Sequence, residues 1–249
     1  MIRILDALVL REISGRFGHS RLGYLWAFLT PLLGIIALYI IFVNFRQGRT
    51  ELPLFLFLVT GWTTYGLYQG TTSALAGAAE ANKGLLMHPT ITRLDVLSAR
   101  SILEVLTAVA LLLLYAFISL VFEGSRLPDR PGMVLISFLS AAAFGTSVGL
   151  ILAALKTQFP MADKVVAPIN RVGFFVSGVL FTARDLPSWT YDYIRWNPML
   201  HPIEGMRDGW FQAYESPVVD LYYTWTITLP AIALGLVLER RSRSKISFG

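Results

Sequence analysis

The residues best suited to acid–base chemistry crowd into one stretch, 180–210, LFTARDLPSWTYDYIRWNPMLHPIEGMRDGW. Asp185, Asp192, His201, Glu204, Arg207 and Asp208 lie there with three of the chain's six tryptophans. Asn197-Pro198 suits a helix break, and Pro187-Ser188 suits a helix start with Ser188 as N-cap. A second short helix from about 202 to 211 would set His201, Glu204 and Asp208 at i, i+3, i+7 on one side. Arg207, three residues from Glu204, is within pairing reach. Three chemistries fit. Glu204 and His201 could serve a membrane transferase or hydrolase as acid and base; His201 with the acids could hold a metal; or Glu204 and Arg207 could be a structural latch. A lone His–Glu pair is a weak metal signature. The rings of Trp189, Tyr191, Tyr193, Trp196 and Trp210 fit anchors at headgroup depth or platforms on which apolar sugar faces stack.

The elements that must position this segment are apolar. The chain has 249 residues, 55% hydrophobic and 15% charged, with a mean hydropathy of +0.59; a soluble domain carries about 25% charged residues. The absence of cysteine excludes a disulfide scaffold, a thiol nucleophile and thiolate metal ligation. Arg3, Asp6, Arg11, Glu12 and Arg16 interrupt any signal-peptide apolar region, so targeting is expected from the first span.

A spanning helix needs about 20 mostly apolar residues. Six are expected, at 22–43, 54–75, 102–122, 133–155, 165–181 and 221–238. The fifth is short and carries Arg171. Six spans put both termini on one side. The segments on that side hold thirteen Lys and Arg against six acids, and the opposite loops seven against nine. The positive-inside rule therefore makes both ends cytoplasmic. The net charge of +5 then reflects topology, which argues against nucleic-acid binding. The longest loop, 182–220, is too short for an independent core, so 1–249 reads as one all-α integral membrane domain.

Other motifs admit two readings each. In the first tail, 1–21, Ile2, Leu5, Val9 and Ile13 share a helical face while Leu8 and Leu10 sit elsewhere. This fits an interfacial helix or a basic flank that only fixes orientation. The loop 78–100 is too apolar for a tether. Leu85, Leu86 and Met87 before Pro89 either dock a partner or, the slightly favoured reading from pattern alone, pack on the protein's own underside. Arg171 could line a conduit or snorkel to headgroups. Arg100 and Glu104, four apart, suit an ion pair within one helix. There is no G-x-x-x-x-G-K-[ST], so any ATP site of that kind belongs to a separate subunit.

Three motifs carry a family resemblance. The first is Ala7-Leu8-Val9-Leu10-Arg11-Glu12-Ile13, Arg16-Phe17-Gly18, then Arg21-Leu22-Gly23-Tyr24-Leu25-Trp26 and Pro31. The second is Asn82-Lys83-Gly84-Leu85-Leu86 with Pro89, Asp95 and Ala99-Arg100. The third is Asn197-Pro198 with His201, Glu204 and Arg207. Over nearly its whole length the chain resembles the membrane subunits of ATP-binding-cassette polysaccharide exporters, those of Gram-negative capsules above all, with O-antigen exporter permeases as cousins. It departs at Thr90-Ile91-Thr92-Arg93-Leu94-Asp95, where related chains often carry a second proline.

The resemblance implies export of capsular, lipid-linked polysaccharide across the bacterial inner membrane by a homodimer working with two ATPase subunits. These subunits bind ATP and Mg, and this chain holds no cofactor, metal or catalytic residue. It implies that Arg11, Glu12, Arg16, Asn82, Lys83, Leu85, Leu86 and Pro89 couple to the ATPase, the first tail being an interfacial helix. It also implies a re-entrant periplasmic gate of two short helices between spans five and six, with Trp189, Trp196, Asn197, Pro198, His201, Glu204 and Arg207. Trp62, Tyr65, Tyr68, Arg171, Phe174 and Phe175 are then candidates to line the conduit. Membrane lipids, the polysaccharide and periplasmic co-polymerase or export partners complete the expected contacts. Lipid or drug export by the same architecture, and a transferase acting on lipid-linked sugars, are the alternatives.

Overall fold

The structure, a computed structural model, describes residues 2–17, 21–45, 52–82, 84–85, 90–157, 159 and 161–246, and all regular structure among them is helical. In chain order these are α1 (Ile2–Phe17), α2 (Arg21–Phe45), α3 (Leu54–Ala76), α4 (Ala78–Ala81), α5 (Arg93–Glu123), α6 (Pro131–Lys156) and α7 (Ala162–Val176). Two 3-10 turns (183–185 and 188–190) and the short α8 (Tyr191–Ile194) lead to α9 (Leu200–Trp210) and α10 (Leu221–Ile246). Four stretches are long and apolar enough to cross a membrane by length and composition: 25–44, 93–123, 131–156 and 221–241. The two other expected spans correspond to α3 and α7. α7 offers only the short apolar stretch 166–176 and ends before Gly178, whose φ of 83° stops the helix.

Local chemistry sets the helix ends. Thr92 accepts the Asp95 N–H at 3.2 Å while the Asp95 carboxylate accepts the Thr92 N–H at 2.9 Å, a capping box that starts α5. Gly124, at φ 63°, ends it, and Pro131 opens α6. Glu123 accepts from the N–H groups of Phe55 and Leu56 at 2.8 and 3.2 Å and so caps α3 from the end of α5.

α3 is the hub. It is buried along most of its length and packs chiefly on α6 and α5. Its threonines return hydrogen bonds to their own helix or reach α6, as Thr72 does to the Gly145 carbonyl at 3.2 Å. A helix facing protein can carry such groups, whereas α2, α5 and α10 expose Ile40, Leu113, Phe117 and Leu229 to their surroundings. The α3–α6 approach depends on two glycines: a Cβ at Gly145 would stand 2.7 Å from the Tyr68 carbonyl oxygen, and one at Gly149 would stand 2.8 Å from the Leu75 Cβ.

The α1 face corrects the sequence reading in one respect. Leu8, set aside above, is the most buried residue of its stretch, and the inward side runs through Leu5, Leu8, Val9, Glu12 and Ile13. This spacing of i, i+3, i+4, i+7, i+8 is that of an amphipathic helix.

Gly145→Val should push α3 from α6, at a cost of about 1–3 kcal/mol, seen as a lower melting temperature in detergent. Gly66→Ala on α3, where a Cβ would meet nothing, should leave it unchanged.

Candidate functional site

The segment between α7 and α10 folds back onto the bundle, and α9 is buried from end to end. α9 sits against α6 and α3 because two of its residues have no side chain. A Cβ at Gly205 would strike Ser137, and one at Gly209 would stand 2.8 Å from the Val134 backbone nitrogen. It starts at Leu200, two residues before the expected 202. The expected N-cap at Ser188 is not formed: Ser188 is the first residue of a 3-10 turn after Pro187 and makes no cap bond. The Pro187 carbonyl instead accepts from the Thr190 hydroxyl at 2.7 Å.

Glu204 and Arg207 form the predicted i,i+3 pair at 3.1 Å, both side chains 0% exposed. Each also fastens chain that is not helical. Arg207 donates to the carbonyls of Phe181 at 2.7 Å and Val179 at 2.9 Å, and its guanidinium lies 4.0 Å over the Phe57 ring. Gly61 gives it room, since a Cβ there would stand 2.9 Å from Nη2. The Glu204 carboxylate accepts from the Ala183 N–H at 3.3 Å, the Ser216 hydroxyl at 2.8 Å and the Tyr214 hydroxyl. Burial first, and the Glu204 charge second, push the Tyr214 phenol well up from its usual range, so it stays protonated and donates.

His201 is equally engaged. Its Nδ1 lies 3.1 Å from the Asp220 N–H and 3.0 Å from the Val218 carbonyl oxygen, and its Nε2 lies 2.8 Å from the Arg195 carbonyl oxygen. The Asn197 amide donates to the Ser177 hydroxyl at 3.1 Å, and the Pro198 carbonyl accepts from Thr224 at 3.3 Å. Asp208 faces Arg130 at 3.6 Å. Thus Glu204 and His201, the acid and base of the sequence reading, have separate structural partners, and among the described residues no three His, Cys, Asp or Glu converge as metal ligands. Trp189 and Trp196 stand exposed on the surface of this segment.

The conduit candidates gather on and beside α3. Trp62 and Tyr65 each meet Phe174 edge-on, at 5.4 and 5.5 Å between ring centroids, and Phe174 meets Phe175 at 5.5 Å. Tyr68 stacks on Phe144 at 5.4 Å. Tyr65 and Tyr68 are buried within the chain, Phe175 is exposed, and Trp62 borders a cavity of about 440 Å³ between α2, α3 and α5. Arg171 is exposed on α7. The polar residue that α7 turns inward is Asn170, which accepts from Tyr65 at 2.6 Å through its carbonyl and faces Tyr68 at 3.4 Å through its side chain. Sequence reasoning missed Asn170 beside the more conspicuous arginine.

At the other end of the bundle, Arg11 donates to the Asn82 side chain at 2.7 Å. Arg100 does not make the expected pair with Glu104 on its own helix; it reaches Glu12 on α1 at 2.8 Å and the Ala74 carbonyl at 3.0 Å. Leu85, like Ile91, packs against this chain's own buried cluster of Leu75, Ala78, Val96 and Leu97. Lys83, Leu86, Pro89 and the Arg16 side chain lie outside the described residues.

Glu204, Arg207 and His201 thus all make structural contacts within a polar segment packed against apolar helices. The chain belongs to the ABC-2 type transporter family, which it matches over residues 4–211. It is 33% identical over 239 residues to the polysialic acid transport protein KpsM of Escherichia coli, covering 94% of this chain and 92% of that protein. It is 29% identical over 244 residues to the capsule polysaccharide export inner-membrane protein CtrC of Neisseria meningitidis serogroup A, covering 96% and 91%. Similarity to the O-antigen export system permease protein RfbA of Myxococcus xanthus is 39% over 56 residues, 22% of each chain.

Replacing Glu204 by Gln strands the Arg207 charge and should cost about 3–5 kcal/mol. Tyr214→Phe, which removes one donor from a carboxylate, should cost about 1.5–3 kcal/mol. Thermal unfolding in detergent, with protease cleavage within 182–199, measures both.

Proposed function

We propose that this chain is the membrane subunit of an ATP-driven exporter that moves capsular, lipid-linked polysaccharide across a bacterial inner membrane. The observation that carries the reading is similarity to capsule exporters over more than nine-tenths of the chain. The similarity to the O-antigen permease spans less than a quarter of it. ATP and Mg belong to a separate ATPase subunit, and two copies of each chain make the working complex. The whole of 1–249 is one membrane domain.

In this reading α2, α3, α5, α6, α7 and α10 are six spans, α1 lies in the cytoplasmic interface, and both termini are cytoplasmic. α3, with 23 residues, is about 34 Å long and matches the roughly 30 Å hydrocarbon core. Its threonines and tyrosines face protein rather than lipid, which supports a span despite its lower hydropathy. α8 and α9 are the re-entrant helices of a periplasmic gate, and the Glu204–Arg207 pair is its latch. Residues 82–89 dock in the ATPase. Trp62, Phe174 and Phe175, supported by Tyr65 and Tyr68, form the aromatic wall along which a sugar chain slides in the dimer, with Arg171 near anionic groups. Shallow stacking suits a polymer that must keep moving.

A cysteine at Leu86, in this cysteine-free chain, should crosslink to the ATPase subunit in the assembled complex, and failure would sink the docking assignment. In cells deleted for the chain, its return should restore surface capsule. Restoration of O-antigen alone would move the substrate to that class, and substrate turnover by the purified chain without an ATPase would overturn the transport reading.

A further inference from the structure

α1 turns charge inward. Glu12 shares the buried face of the helix with Leu8, and its carboxylate meets Arg100, the two side chains being 22% and 14% exposed. The same guanidinium holds the Ala74 carbonyl at 3.0 Å, in the last turn of α3. One residue earlier on α1, Arg11 donates to Asn82 at 2.7 Å. Asn82 is buried and is itself tied on both sides. Its amide donates to the Ala78 carbonyl at 3.0 Å, and its own carbonyl accepts from the Leu85 N–H at 3.0 Å.

We propose that the Arg11–Asn82 and Glu12–Arg100 contacts form a clasp that makes α1 a link in force transmission. Displacement of the 78–92 loop passes through Asn82 to α1, and from α1 through Arg100 to α5 and the end of α3. Arg11 and Glu12 are then positioning residues that act within this chain, not contacts to the ATPase. The proposal rests on the reading that the 82–89 stretch docks in the ATPase.

Three observations support it. α4, which leads into Asn82, is a single turn of four residues. The clasp passes from Asn82 to α5 directly through α1, entering α5 about two turns above its start. The Glu12–Arg100 pair is largely buried and therefore weakly screened by salt. A polar cavity of about 440 Å³ lies beside it, bordered by Arg11, Asn82 and Glu104, and leaves space for the joint to move. Finally, α5 is stiff and long. At its far end Glu123 grips the start of α3, and Phe57, in the next turn, lies under the Arg207 guanidinium.

The test uses the full chain assembled with its ATPase in cells lacking the native copy. Surface polysaccharide reads export, and ATP hydrolysis by the purified complex reads the motor. Glu12→Gln and Arg11→Met should lower export by roughly tenfold while hydrolysis and the amount of complex stay within about twofold. Arg11→Lys, which keeps a donor for the Asn82 side chain, should retain export. The double variant Glu12→Cys/Arg100→Cys should fail when reduced and recover when a short bis-methanethiosulfonate, from which each thiolate displaces a sulfinate, ties α1 to α5. A purely structural role would lower the amount of complex and would not respond to re-tying assembled protein. Wild-type export from Glu12→Gln and Arg11→Met overturns the clasp, as does a crosslinked pair no better than the reduced one. If Leu86→Cys still crosslinks to the ATPase in those preparations, only the clasp has failed. If it does not, the docking reading has failed and the clasp falls with it.

Discussion

The fold-back between α7 and α10 depends on one buried ion pair. Residues 177–199 and 211–220 are largely irregular chain set against apolar helices, and irregular backbone that is buried persists only where its polar groups are satisfied. Arg207 takes two carbonyls from the chain that leaves α7, and Glu204 takes an N–H from the same strand and two hydroxyls from the strand that leaves α9. A pair of this kind contributes little net stability over an apolar replacement. Its contribution is to specify one path for two strands. His201 extends the arrangement by joining Arg195 to Asp220. α9 is thus a peg to which the whole polar segment is tied.

That peg needs a socket, and the socket is made by small residues. Gly205 and Gly209 let α9 close on α6, Gly61 makes room for the guanidinium, and Gly145 and Gly149 draw α6 against α3. In lipid there is little hydrophobic gain from bringing two apolar helices together, so close backbone contact and interhelical hydrogen bonds must hold them. The helices least covered by neighbours, α2 and α10, are correspondingly the ones whose outer faces are aliphatic.

What could be read from the sequence follows from the range of each interaction. The long lipophilic helices were legible because a membrane demands a continuous apolar run, and the 204/207 pair because i,i+3 neighbours meet on any helix. The same rule misled at Arg100. It offered Glu104 on the same helix, but the guanidinium also serves the Ala74 carbonyl, and α1 brings Glu12 to that spot from 88 residues away. Leu8 was set aside because the stripe was drawn through Ile2 and Leu5, while the face that packs runs through Leu5, Leu8 and Glu12. Asn170, Tyr214 and Ser216 carried no periodic signal at all. Each matters through a partner on another element, and such pairings are set by tertiary packing.

The two ends of the bundle differ in how they hold charge. Glu204 and Arg207 are fully enclosed, with the carboxylate's acceptor sites filled by the guanidinium, two hydroxyls and a backbone N–H, so opening that pair means stranding an ion. Arg100 and Glu12 border a polar cavity, which leaves the helices room to shift while the pair stays closed. In the proposed mechanism a load applied at the α1 end therefore meets a joint with room to move first and an enclosed one last. α5 runs between them without a break, and its 31 residues span about 46 Å. In the proposed mechanism a tilt that starts at Arg100 would reach Glu123, move the start of α3 and the Phe57 ring with it, and so bear on the face of the Arg207 guanidinium. For the proposed latch to release, that displacement must remove several of its partners together, because losing one alone leaves the pair buried and still tied.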